Sequence, residues 1–147
     1  MNRASLSWLS ALAALGAAGC GVDFAGTYKG EATESGSVKI AVVQSNDVAK
    51  NETPPHTVPD ASVSVAKDGA SYVVKFGSCE MKGDGNGPSM VVVKGPCDAK
   101  VANWAGKLPL SATLKFDGSG GMTMDVTGTT KNDTTVINYN WTFKGKK

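Results

Sequence analysis

Residues 110–126, LSATLKFDGSGGMTMDV, contain two apolar–polar alternations that are separated by a glycine-rich stretch. Every second residue from Leu110 to Phe116 is apolar, and serine, threonine and lysine fill the positions between them. The same period of two returns from Met122 to Val126. Since successive side chains of a β-strand point to opposite faces, each segment predicts a strand with one buried face, joined by a turn at residues 118–121.

The same alternation continues in both directions along the chain, and Asp68-Gly69 supplies the chemistry of a further hairpin turn. Further predicted strands cover residues 26–33, 38–42, 63–65, 72–76, 90–93 and 137–143. A meander of this kind must bury its apolar faces together and cover its two edges. We therefore predict an all-β fold, an antiparallel up-and-down meander of about eight strands that closes into a small barrel. A β-sandwich is the alternative, although its longer crossovers have only two candidate segments, residues 45–60 and 83–89, which we predict as loops.

Residues 98–105 interrupt the β pattern. Their apolar positions recur at intervals of three or four residues, as on one face of a helix. Asp98 can cap the N-terminus of such a helix, and Gly106 follows its end. We therefore predict one short helix, whose Trp104 either plugs one mouth of the barrel or lines a ligand entrance.

The N-terminal residues 1–19 are typical of a secretory signal peptide. Arg3 supplies a cationic start, an apolar run of residues 4–18 follows, and small residues precede Cys20. A membrane-spanning helix needs roughly 20 predominantly apolar residues, and this run is shorter and contains three serines. We therefore predict residues 1–19 as signal peptide, residues 20–25 as a tether and residues 26–147 as the barrel domain.

The sequence Ala17-Ala18-Gly19-Cys20 resembles the lipobox of bacterial lipoproteins, although leucine is more usual at the position of Ala17. The resemblance implies that the Cys20 thiol carries diacylglycerol, that the leader is cut just before it, and that a fatty acid such as palmitate acylates the new amine. In Gram-negative lipoproteins an aspartate after the cysteine favours the inner membrane, and here that residue is Gly21. We therefore expect an outer-membrane lipoprotein. The alternative is an ordinary secretory leader.

Lipidation of Cys20 would leave Cys79 and Cys97 as an even pair in an oxidising compartment. Two thiols in that setting ordinarily form a structural disulfide, which we predict here. A metal or redox pair is the alternative, but the chain has no C-x-x-C motif and a single histidine.

The charge of the chain argues against nucleic acid as a partner. Without residues 1–19, fourteen lysines stand against thirteen carboxylates, and no arginine remains. Such a domain would gain little free energy from releasing counterions when it bound nucleic acid. It also lacks the arginine guanidinium group that binds phosphate or guanine through two hydrogen bonds.

Residues 24–28, Phe-Ala-Gly-Thr-Tyr, resemble the opening of lipocalin-like (calycin) barrels, which carry Gly-x-Trp at this point. Tyr28 stands where that family has tryptophan, and the arginine of the family's last strand is missing. The resemblance implies a barrel whose interior holds a small apolar ligand. Its lining would include Tyr28, Trp104, Phe116, Tyr139 and Trp141.

We find no catalytic constellation in the sequence. His56, the one histidine, lies in a proline-rich segment that we predict as a loop, and no Gly-x-Ser-x-Gly motif is present. The stretch Gly83-Asp84-Gly85-Asn86-Gly87 suggests calcium, but Gly95 stands where an EF-hand needs its glutamate. We expect no enzyme activity, metal or cofactor. The expected function is an accessory or protein-interaction role in the cell envelope, carried by the two loops, and the alternative is lipocalin-like binding of a small apolar ligand.

Overall fold

The computed structural model describes residues 23–41 and 48–147, and every regular element in them is a β-strand. The strands are β1 (Gly26–Ala41), β2 (Val48–Asp68), β3 (Ser71–Phe76), β4 (Cys79–Gly85), β5 (Met90–Val101), β6 (Trp104–Phe116), β7 (Gly121–Lys131) and β8 (Thr135–Lys146). Each strand pairs antiparallel with the next, and β8 pairs with β1. The predicted all-β, up-and-down barrel is confirmed. The sandwich alternative is wrong because a single sheet closes on itself.

The predicted alternation decides which side chains fill the barrel. In β7, Met122, Met124 and Val126 are buried, whereas Thr123 and Asp125 between them are exposed. The other strands follow the same rule, so the core is built from one face of a continuous sheet. The buried apolar set includes Val63, Val65, Val74, Met81, Val91, Val93, Leu108, Leu110, Leu114, Ile137, Trp141 and Phe143.

The short helix predicted over residues 98–105 is wrong. Val101 ends β5 and pairs with Trp104, the first residue of β6, across a two-residue turn that begins at Ala102. An interval of four residues, such as that from Cys97 to Val101, also places two side chains on the same face of a strand. The sequence did not indicate this turn, because the position with a positive φ, of 48°, is occupied by Ala102 and not by glycine.

The predicted loop over residues 45–60 is wrong over most of its length, and the one over residues 83–89 is wrong in its first three residues. Residues 48–60 belong to β2 and residues 83–85 belong to β4, which leaves only residues 86–89 as a described connection. The pairing of β2 with β1 shifts register twice, and the prolines at positions 54, 55 and 59 all lie within the two shifts. A β-bulge leaves residues unpaired, so it tolerates proline, which has no N–H to donate.

The two ends of the barrel contain different turns and strand ends. The N-terminal rim, as we call it, contains the start of β1, the end of β8 and the turns at residues 69–70, 86–89 and 117–120. The hairpin rim lies at the opposite end and contains the turns at residues 77–78, 102–103 and 132–134. The chain before β1 therefore leaves from the N-terminal rim.

Candidate functional site

Aromatic side chains close the barrel at the N-terminal rim. Phe24, which precedes β1, stacks on Phe116 with ring centroids 4.2 Å apart, and Tyr72 lies 5.9 Å from the Phe24 ring. The Tyr28 hydroxyl donates a hydrogen bond of 2.9 Å to the Phe24 carbonyl oxygen. Phe24 is only 5% exposed. The Phe24 side chain therefore belongs to the buried core, although the residue precedes β1 and lies in the predicted tether.

The middle of the barrel is filled by a second aromatic group. The Trp141 ring stacks between Phe76, at 4.7 Å, and Phe143, at 5.7 Å between centroids. All three side chains are buried. Close aromatic stacking of this kind is typical of a packed core and leaves little room for a ligand between the rings.

Tyr139 lies on β8 between Trp141 and the hairpin rim, next to Glu34 of β1. Burial raises the pKa of Tyr139 above its ordinary value, and the negative charge of the neighbouring Glu34 carboxylate adds to that rise. Glu34 also lies 3.7 Å from His56 Nε2. His56 is thus on strand β2, opposite Glu34, and not in a loop as predicted.

Trp104 lies at the hairpin rim and is half-buried. Its ring covers Gly106, where a Cβ atom would come within 2.8 Å of the indole. The neighbouring turn is fixed to the barrel wall, because the Ala102 N–H donates to Thr53 Oγ1 at 2.7 Å. Trp104 therefore packs over its own strand at the edge of the core.

The five residues predicted to line a ligand cavity occupy different levels of the barrel. Tyr28 and Phe116 lie at the N-terminal rim, Trp141 in the middle, Tyr139 beyond it and Trp104 at the hairpin rim. The structure brings Tyr28 and Phe116 together, with 5.7 Å between their centroids. It gives the five no common cavity, because other buried side chains fill the levels between them.

Cys79 and Cys97 are both buried, and their thiols, which are free in this structure, are near enough for each to affect the pKa of the other. The register of β4 with β5 pairs Gly85 with Val91 and Lys82 with Lys94, and its continuation places Cys79 opposite Cys97. Burial raises the pKa of both thiols, most strongly that of Cys79. Protonated, buried thiols are poor nucleophiles, so the site favours a structural use of the pair. The disulfide stays a prediction.

The largest depression that we describe lies on the outside of the barrel near the N-terminal rim and has a volume of about 590 Å³. We call it the lysine groove, because Lys29 of β1, Lys115 of β6 and Lys144 and Lys146 of β8 line it. All four side chains are exposed. The sequence analysis missed this groove, although lysines at alternate positions of β8 already indicated a basic outer face.

Two glycines form part of the floor of the lysine groove. A Cβ atom on Gly145 would lie 2.6 Å from the Lys29 carbonyl oxygen, and one on Gly30 would collide with the backbone of residues 144 and 145. A larger residue at either position would force β1 and β8 apart. The two glycines therefore let these strands approach closely beneath the lysines.

Within residues 23–41 and 48–147, no three histidine, cysteine or acidic side chains are arranged to hold a metal ion. The same residues include no helix that is long and apolar enough to cross a membrane. Residues 1–19 and the predicted lipidation site Cys20 lie outside the described part of the chain. Comparison of the chain with protein-family models, curated protein sequences and solved structures gives no match.

Proposed function

We propose that this chain is a lipid-anchored protein of the bacterial outer membrane, with a non-catalytic accessory role exerted through the outer surface of its barrel. The observation that carries the proposal is the filled interior. Stacked aromatic rings occupy the N-terminal rim and the middle of the barrel, and buried aliphatic side chains surround them. Eight strands enclose an interior that is just wide enough to be filled in this way.

The closed, eight-stranded meander is compatible with the lipocalin-like architecture that residues 24–28 suggested. The interior supports the structural part of that resemblance better than the carrier function. A carrier needs a concave pocket that encloses its ligand, whereas the larger depressions open on the outer face and between exposed side chains. The depression beside Phe24, Tyr28 and Phe116 at the N-terminal rim has a volume of only about 150 Å³. Cargo binding is therefore the weaker of the two proposed functions.

The anchor is supported by the lipobox and by the position of the chain's entry into the barrel. Phe24 is fixed in the core, and only three residues separate it from Cys20. A lipid on Cys20 would hold the N-terminal rim close to the bilayer. Two or three acyl chains would provide stable attachment, because a single chain binds only marginally.

The anchor is tested by expressing the full chain in a Gram-negative host and measuring the mass of the mature N-terminus and its membrane fraction. We expect a diacylglyceryl modification on Cys20 and recovery in the outer membrane. Cys20→Ser should abolish both, and Gly21→Asp should move the protein to the inner membrane without loss of lipid. Cys79→Ala/Cys97→Ala is the control that removes the other two cysteines together and leaves the anchor intact. An unmodified mature N-terminus in the wild type would refute the anchor.

The filled interior is tested by native mass spectrometry of the mature chain with Cys20→Ser, purified from the periplasm. We expect the mass of the polypeptide alone. We also expect Phe116→Ala to cost about 3 to 5 kcal/mol of unfolding free energy, as for other buried aromatic side chains. A co-purifying small molecule, together with a nearly neutral Phe116→Ala, would instead support the lipocalin-like carrier.

A further inference from the structure

We propose that the lysine groove binds phosphate headgroups of the membrane that holds the Cys20 lipid, so that the β8–β1 side of the barrel lies on the membrane surface. This inference rests on the lipid anchor of the proposed function. It assigns a binding surface and a ligand chemistry to one side of the barrel.

Among the described residues, the lysines of the groove form no ion pair. Lys29 lies directly opposite Lys146 on the neighbouring strand. Like charges in that position destabilise a sheet. Lysines also face each other at Lys39–Lys50 and Lys82–Lys94, but one lysine of each of those pairs, Lys50 or Lys82, forms an ion pair. In the part of the chain that the structure describes, none of the four groove lysines takes part in an ion pair, whereas Lys75 and Lys82 each do.

The acidic residues of the groove do not neutralise it. Glu31 and Asp117 stand against four lysines, which leaves two positive charges in excess. One Asp117 carboxylate oxygen already accepts hydrogen bonds from the N–H groups of Ser119 and Gly121, at 2.8 Å each. These bonds lower the pKa of Asp117 and hold its carboxylate in the turn before β7.

The shape of the groove suits an anionic headgroup. Its volume of about 590 Å³ is many times the roughly 30 Å³ that a water molecule occupies in the liquid. The long lysine side chains stand around the groove on the outer face of the barrel. A phosphate with its ester substituents can therefore enter between ammonium groups that come from three different strands.

The tether sets the distance between the groove and the bilayer. Four residue steps separate Cys20 from Phe24, and a fully extended chain spans at most roughly 14 Å over that length. The tether also touches the basic C-terminus, because Lys147 Nζ donates to the Asp23 carbonyl oxygen at 3.0 Å. An acyl chain on Cys20 therefore keeps this rim at most roughly 14 Å from the membrane, and nearer when the tether is not fully extended. Exposed charges attract within a Debye length, which is about 8 Å at physiological salt.

The test uses the lipidated mature protein in vesicles of phosphatidylglycerol or of phosphatidylcholine, with mass spectrometry of lysine acetylation by a water-soluble reagent. Both vesicles accept the acyl anchor, so only the headgroup charge differs. We expect Lys29, Lys144 and Lys146 to react several-fold more slowly on phosphatidylglycerol, and the difference to vanish at about 1 M salt, where the Debye length is about 3 Å. Lys94 and Lys100, on the far strand β5, should react equally on both.

A second measurement separates this inference from the anchor itself. The mature chain with Cys20→Ser, checked for folding by circular dichroism, is sedimented with phosphatidylglycerol vesicles. Each lysine at an anionic surface contributes about five-fold to the binding constant, so Lys29→Glu/Lys146→Glu should lower that constant at least about 25-fold. The matched control, Lys94→Glu/Lys100→Glu, has the same net charge and should retain most of the binding.

Three outcomes would overturn the proposal. Equal acetylation of the groove lysines on both vesicles would show that the groove does not face the headgroups. Equal losses of vesicle binding in the two double variants would show that binding depends only on the net charge of the protein. Protection of the groove lysines by inorganic phosphate alone, without vesicles, would identify a site for small anions. Failure of lipidation would leave the Cys20→Ser sedimentation result valid, so the two proposals fail separately.

Discussion

The Phe24 ring stacks on the Phe116 ring with a centroid distance of 4.2 Å and an angle of 9° between the planes. One ring comes from the segment before the first strand, and the other comes from the last residue of β6. The contact joins the chain's entry point to the N-terminal rim. It makes the segment next to the predicted lipid anchor part of the core.

Replacing Phe24 therefore tests whether the barrel begins before β1. We expect Phe24→Ala to lower the unfolding free energy by about 3 to 5 kcal/mol, because the substitution removes a buried aromatic side chain and leaves a cavity beside Phe116. Thr27→Ala, at an exposed position of β1, is the control and should change stability by less than about 0.5 kcal/mol. Urea titration of both variants provides the measurement. Equal, small effects would show that Phe24 belongs to a loose tether.

The comparison of sequence and structure shows where periodicity is informative. Residues 122–126 were assigned correctly because the period of two covers the first half of β7 and glycines mark the turn before it. Phe24 was missed because a single aromatic residue before a strand belongs to no period. The lysine groove combines side chains from β1, β6 and β8, whose register no single segment specifies.

The two errors in secondary structure have separate physical causes. Prolines 54, 55 and 59 predicted a loop, but bulges in β2 accommodate them within a long strand. At residues 98–105 the helical and strand periods coincide, and the deciding turn uses an alanine in a conformation that favours glycine. At residues 98–105 the pairing of β5 with β6 therefore decided the structure, against the local preference of the sequence.

The strained turn at Ala102 leads to a stabilising substitution. Its φ of 48° is costly for a residue with a Cβ atom, and this turn position prefers glycine. We expect Ala102→Gly to raise the unfolding free energy by about 0.5 to 1 kcal/mol, after the greater entropy of glycine in the unfolded chain is subtracted. Ala105→Gly, at an exposed position of β6, is the matched control and should destabilise. Destabilisation by both substitutions would contradict the assigned turn geometry.

The adjacent thiols of Cys79 and Cys97 make a definite prediction about the mature protein. We expect the periplasmic protein to contain a disulfide, detected as the loss of two hydrogens in its mass and as resistance of both cysteines to alkylation after unfolding. Reduction should lower the unfolding free energy by about 3 kcal/mol, the value expected for a loop of this length. The variant Cys79→Ala/Cys97→Ala should be insensitive to reductant. Full alkylation of both thiols in the unreduced, unfolded protein would refute the bond.

Tyr139 should make the barrel sensitive to alkali. Its pKa lies above the ordinary tyrosine value of about 10 in the folded protein, chiefly because of burial and then because of Glu34. Below about pH 10 the hydroxyl is protonated in both the folded and unfolded states, so its contribution to stability is complete. Above that pH the unfolded chain ionises first, and stability falls by up to about 1.4 kcal/mol per pH unit.

Tyr139→Phe removes this titration and also the polar contact of the hydroxyl with Glu34. We expect the variant to be less stable than the wild type near pH 8, by roughly 0.5 to 1.5 kcal/mol for the lost polar interaction. As the pH rises above about 10, the two stabilities should converge, because only the wild type loses the contribution of residue 139. Urea titrations at several pH values, in the same redox state, measure the difference. A constant difference up to about pH 11 would show that Tyr139 ionises as readily in the folded barrel as in the unfolded chain.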